Sequence, residues 1–142
     1  MIRLQSYVLD SWQQGEGSTR TLLNPATEEL LAETTTTGIN FEEVLVHARA
    51  VGGPNLRALG FEGRAALLKA MSRTLYAQRE RLLDIAMANG GNTRKDAKFD
   101  IDGATGTLAY YASLGKSLGE GNLLPDAESE QLTQSPRFHG LH

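Results

Sequence analysis

The sequence contains no cysteine. That one absence excludes disulfides, a thiolate nucleophile and the cysteine-containing zinc sites together. No apolar run reaches the roughly 18 residues that a membrane span needs, and the opening MIRLQSYVLDSWQQ has no apolar core of signal-peptide length, so a cytoplasmic location and no membrane partner are expected. Charge of one sign is also scarce. The net charge is −3 and the pI near 5.6, with lysine and arginine scattered among acids, which gives no field to draw in nucleic acid. Against these absences stand 142 residues, 40% of them hydrophobic, enough for one domain with a core.

The segment YVLDSWQQGEGSTRTLLNPATEELLAETTTTG alternates apolar and β-branched residues with the turn signals Gly15-Glu16-Gly17 and Asn24-Pro25. It predicts a meander of short strands over residues 5–37, with Tyr7 and Leu9 on one face and the Thr34–Thr37 run extended. From Asn40 the period becomes helical. Asn40 with Glu43 forms a capping box, Phe41, Val44, Leu45, Ala48 and Val51 come after it at helical spacing, and Gly52-Gly53-Pro54 is expected to stop the helix. Another turn of helix is expected over 55–59.

Residues 61–89 predict a single amphipathic helix on the order of 40 Å long, with Leu68, Met71, Leu75, Leu82 and Ile85 near one stripe. Such a length implies a body larger than this chain. Asn89-Gly90-Gly91 supplies its end, Asn92 or Thr93 caps a short helix, and a longer one is expected from Phe99 or Ile101 to Leu118. Beyond Gly119 the chain is polar, carries two prolines and loses its helical period, so an extended tail is expected over 119–142.

Residues 103–117, GATGTLAYYASLGKS, invite a nucleotide reading. A phosphate loop needs glycine five positions before the glycine of Gly-Lys-Ser, because backbone N–H groups must curl around phosphate unobstructed. Tyr110 stands there instead. A dinucleotide fingerprint lacks its middle glycine between Gly103 and Gly106. The two glycines therefore read as small helix positions that let neighbouring elements approach, and Gly115-Lys116-Ser117 as a closing turn with Lys116 set against the helix dipole.

Asp100 and Asp102 suggest an acid/base pair, but positions two apart leave a helix in different directions, and acids in a first turn answer its dipole. His47, His139 and His142 form no ligand spacing, so no metal site is assigned, and the terminal two are expected to be solvated. No serine lies in a nucleophile elbow. Tyr110 and Tyr111 are expected to place one ring in the core and the other at its edge.

Three blocks in order resemble one family. LNPATEELLAE is similar to the N-P-A-T-G-E turn of aldehyde dehydrogenases, FEGRAALLKAMSRTLYAQRERLLDIAMANGGNTRKDA to their R-x-x-x-L-x-x-x-A…L-x-x-x-E-T-G-K helix, and GTLAYYASLG to their T-L-x-Y-Y-A helix. Within it, SYVLDSWQQGEG, LRALGFEGRAALLKA and the stretch from Ala88 to Gly121 resemble semialdehyde dehydrogenases of ring-cleavage pathways, which act on CoA-linked semialdehydes in phenylacetate and benzoate breakdown. The phenylacetate type carries an oxepin-CoA hydrolase domain behind the dehydrogenase. Glu28 replaces the usual turn glycine, and Asn89-Gly90-Gly91-Asn92 stands where many members have E-T-G-K.

The resemblance implies an incomplete α/β aldehyde-dehydrogenase-like fold: short strands, then three or four helices through residue 118, with no Rossmann sheet in this chain. Residues 119–142 would lead toward the oligomerisation strands. The family attacks the carbonyl with a cysteine thiolate, activates water with a glutamate, holds the oxyanion with an asparagine amide, and passes hydride to NAD or NADP. Those residues are expected beyond His142. No catalytic, cofactor-binding or metal residue is therefore assigned, no cofactor is expected for this chain alone, and its partners would be the remainder of the enzyme or oligomer mates. An interaction module docking on another subunit is the alternative, and a small nucleotide-binding protein a weaker third.

Overall fold

The computed structural model describes residues 2–124 and the backbone of 130–131 and 139–140. Strand β1 (Ser6–Val8) pairs antiparallel with β2 (Ser11–Gln13), and β3 (Arg20–Leu23) with β4 (Leu30–Thr34). The expected meander is thus two separate hairpins. Leu9 does not share a strand face with Tyr7: Leu9 and Asp10 both adopt positive φ, 52° and 58°, the two-residue turn whose twist matches a hairpin. Neither is glycine or asparagine, so the sequence hides the turn. Tyr7 faces Trp12 across the strands in an edge contact at 5.2 Å.

The β3–β4 turn is built by Asn24, whose Oδ1 accepts from Ala26 N–H at 2.9 Å while its backbone N–H donates to Glu29 O. Glu28 closes it with φ 61°, a left-handed conformation that glycine adopts without strain. A left-handed L-residue costs about 1–2 kcal/mol, partly offset by the backbone entropy that glycine loses on folding. Glu28→Gly is therefore expected to raise stability by roughly 0.5–1 kcal/mol in urea unfolding; a loss of stability would show that the side chain holds the turn.

Helix α1 (Phe41–His47) starts at Asn40, whose side chain accepts from the N–H groups of Glu42 and Glu43. Gly52-Gly53-Pro54 does not stop the helix. The backbone widens into a π turn over Ala48–Gly52 and continues as α2 (Gly53–Ala58), the N–H of Gly53 reaching Ala48 O five residues back. Pro54 has no N–H and its ring displaces the carbonyl four residues before it, a conflict the wider turn relieves.

The expected 61–89 helix is broken into α3 (Gly60–Ala77) and α4 (Arg79–Gly90), with Gln78 at φ −103°, ψ 16°. The bend returns α4 toward the next helix, and Leu83 is fully buried there. Neither piece reaches about 40 Å, so the length of this segment no longer implies a larger body. Gly91, at φ 66°, caps α4. Thr93 rather than Asn92 caps the next helix, its Oγ1 accepting from Asp96 N–H. The expected short and long helices are one, α5 (Arg94–Ser117), making five α-helices among the described residues instead of three or four.

Helices α3 and α5 run antiparallel along a seam of small residues. Ala65, Ala97, Thr105 and Ala112 are buried, Ser72 Oγ donates to Thr105 O at 2.9 Å, and Gly115 abuts Ala65. Small side chains let the backbones approach, so dispersion contacts replace bulk. The first N–H groups of α3 find no side-chain cap. Phe61 N–H donates to Gly121 O at 2.8 Å and Glu62 N–H to Gly119 O at 3.1 Å, so the chain leaving α5 caps α3. In the tail, β5 (Glu130–Gln131) pairs antiparallel with β6 (His139–Gly140).

Candidate functional site

The densest polar cluster sits at the α3–α4 bend. Asp102, on α5, accepts both Arg79 Nε at 2.6 Å and Nη2 at 2.7 Å, a two-pronged bond across the helix pair. Arg79 Nη1 also donates to Glu80 at 2.9 Å, and Glu80 accepts from Arg94 at the start of α5. The Arg79 bond holds the Asp102 carboxyl below its ordinary value, the Arg94 bond does the same for Glu80, and Asp102 in turn raises Arg79. These groups tie the start of α4 to the start and middle of α5, which is structural chemistry.

The pH consequence comes from the sign. Carboxyls depressed in the folded state contribute fully above their unfolded pKa, and the contribution is lost as pH falls through the folded values. Arg79→Met should lower the thermal midpoint near pH 7, with the gap from wild type closing below about pH 3 and in roughly 1 M salt. A gap independent of pH in circular-dichroism melts would assign the arginine to packing.

Asp100 bonds elsewhere, accepting from Asn92 Nδ2 at 3.3 Å, so the two carboxylates share no substrate position. Neither lies in a first turn: α5 starts at Arg94, and Asp96 is its first-turn acid. His47 lies 3.2 Å from Asp10 of the β1–β2 turn, a pairing between distant residues that no spacing in the sequence signals. Among the described residues no group of histidine and carboxylate side chains is arranged for a metal, and no helix is long and apolar enough to cross a membrane. The side chains of His139 and His142 lie outside the described residues.

The stretch 103–117 is helical throughout, which removes the phosphate-loop geometry. Gly115 does admit a close neighbour, since a Cβ there would lie 3.1 Å from Ala65 Cβ. Gly103 and Gly106 do not: nothing stands within 4 Å of either position, so their missing side chains leave open surface. Lys116 occupies the last turn as expected. Tyr110 and Tyr111 pack edge to face on each other at 5.3 Å, yet are 64% and 54% exposed, so neither ring enters a core. Residues that pack outward need something outside.

That outward face is extensive. Leu67, Met71 and Tyr76 of α3 and Phe99, Tyr110 and Leu114 of α5 are all exposed. Large apolar side chains left in water on both helices suit surfaces that further protein covers. It carries no nucleophile, and the hydroxyl of Ser72 is already bonded to backbone.

The sequence pattern of the aldehyde dehydrogenase family matches residues 12–137. The chain is 39% identical over 141 residues to the 3,4-dehydroadipyl-CoA semialdehyde dehydrogenase of Aromatoleum evansii, an alignment covering 99% of this chain and 27% of that protein. A crystal structure of an NAD-dependent benzaldehyde dehydrogenase from Corynebacterium glutamicum superposes with a TM-score of 0.73 at 18% identity, covering 93% of this chain and 27% of that one, a likeness of fold. The chain thus spans 27% of the length of either relative. Because the family's pattern runs through most of its length, the chain belongs to the aldehyde dehydrogenase family.

Proposed function

We propose that this chain is the N-terminal portion of an NAD(P)-dependent dehydrogenase that oxidises a CoA-linked semialdehyde to the acid in aromatic-compound breakdown. The observation that carries the reading is the 39% identity, sustained over 99% of the chain, to a dehydrogenase named for such a substrate. Residues 1–118 are the flank of the cofactor domain and residues 119–142 lead toward the oligomerisation strands. The partners are the remainder of the enzyme and its oligomer mates in the cytoplasm. The exposed faces of α3 and α5 agree with a chain that packs against more protein.

Alone, the chain is inactive. It has no cysteine, so no thiolate can add to the aldehyde carbon. Its role is to support a site whose reacting groups others supply. Two measurements test this. The purified chain should give no aldehyde-dependent NAD(P)H; turnover above a buffer control would refute the reading. Grafted in place of the matching N-terminal segment of the Aromatoleum evansii enzyme, the chain should support oxidation of the CoA-linked semialdehyde. A folded chimera that oxidises only CoA-free aldehydes would overturn the substrate assignment.

A further inference from the structure

Asn89 is the only asparagine of this chain that a glycine follows. The pairing is chemically special, because a residue without Cβ leaves its backbone nitrogen open to attack the side-chain amide of the asparagine before it. The fold itself selects that glycine. A Cβ on Gly90 would lie 2.4 Å from Asn92 Oδ1, and the Asn92 amide is held by donating to Asp100 of α5 at 3.3 Å. Gly91 then ends α4 with φ 66°, where a Cβ would stand 2.9 Å from Pro25 Cγ. The double glycine that turns the chain from α4 into α5 thus sets a reactive partner directly after Asn89.

Asn89 is exposed. The side chains of Asn24, Asn40 and Asn92 are each held by a hydrogen bond, and that of Asn89 is held by none among the described residues. What protects it is the helix. Within α4 the N–H of Gly90 points along the ladder toward Ala86 O, and helical backbone angles at Asn89 keep the Gly90 nitrogen out of line with Asn89 Cγ. Attack therefore needs the last turn of α4 to open. That turn is closed by the bond from Gly91 N–H to Met87 O at 3.0 Å, while the buried anchor of the helix, Leu83, lies more than a turn back. Helix ends open at a far smaller free energy than a whole domain.

We propose that Asn89 is a site of spontaneous deamidation, gated by opening of the last turn of α4. The Gly90 nitrogen gives up its proton and bonds to Asn89 Cγ, the bond from Cγ to the side-chain nitrogen breaks, and that nitrogen leaves as ammonia. Water then opens the five-membered imide at either carbonyl, giving aspartate or isoaspartate with no change of oxidation state. Either product puts a carboxylate at the negative end of the α4 dipole, and isoaspartate also lengthens the backbone beside the Gly91 cap. The reaction loosens the turn that restrained it.

Incubating the 142-residue chain in warm, mildly alkaline buffer tests this, with peptide masses read over time. The tryptic peptide Leu82–Arg94 should convert from amide to acid, fragmentation placing the change at Asn89 and not at Asn92. Conversion should be at least about tenfold faster in Leu83→Ala and in urea that unfolds the chain, and at least about tenfold slower in Gly90→Ala, whose methyl shields the nitrogen. Circular dichroism checks that Gly90→Ala keeps its helix. Aged chain should lose amide protection over residues 79–90, and aged Asn89→Gln should keep it. An unreactive Asn89 in water, or equal rates in water and urea, overturns the gate. So does a rate in water no greater than the urea rate multiplied by the fraction of chain globally unfolded, an outcome that stays readable even where Leu83→Ala fails to fold. Equal protection in fresh and aged chain overturns the loosening of α4.

Discussion

Replacing Gly60 by alanine is expected to destabilise the chain by on the order of 3 kcal/mol, from two independent causes. The backbone there has φ 63°, a left-handed conformation that costs an L-residue about 1–2 kcal/mol. The added methyl would also lie 2.5 Å from Glu120 O. That carbonyl cannot retreat freely, because Phe61 N–H and Glu62 N–H hold Gly121 O and Gly119 O on either side of it. Moving the loop would uncap α3, so strain and lost hydrogen bonds are alternatives of similar cost. Gly52 provides the contrast. It has φ −61° and no neighbour within 4 Å, so Gly52→Ala should stabilise by roughly 0.5–1 kcal/mol. Paired urea unfolding curves decide the matter: equal shifts for the two variants would mean that the loop at residues 119–121 does not cap α3.

The features legible in the sequence are those set by neighbours along the chain. Asn40 and Thr93 at helix starts and the glycine at the end of α4 each act on backbone groups within four residues, so composition reveals them. The break at Gln78 is different. The apolar spacing runs through it unchanged, while its position coincides with a bond from Arg79 to a residue 23 positions away. Likewise the π turn before Pro54 keeps the chain helical where a local rule predicts a stop. At the site, the missing thiolate was legible at once because an absence needs no geometry. The open surface over Gly103 and Gly106 was not, since a glycine in a helix reads as a close contact until the space above it is seen to be open.

Leu83→Ala is expected to cost about 2–5 kcal/mol, the range for emptying a buried leucine site that relaxes only in part. Leu83 is the one large side chain among the described residues that is fully buried; the other buried apolar positions, Ala32, Ala65, Ala97 and Ala112, are alanines. An alanine seam allows helices to approach but gives each little apolar area to remove from water. The docking of α4 therefore depends on Leu83 more than its length suggests. Set against a typical domain stability of about 5–15 kcal/mol, the loss is a large share, and α4 should detach before α3 and α5 separate. Hydrogen exchange would show this as selective loss of protection over residues 79–90, with α3 and α5 amides retained. Leu67→Ala, at a position 49% exposed, should change protection nowhere by a comparable amount. If both leucines behaved alike, the stability of this chain would reside in its exposed faces, which in water give little back, and the antiparallel α3–α5 pair could not be its organising core.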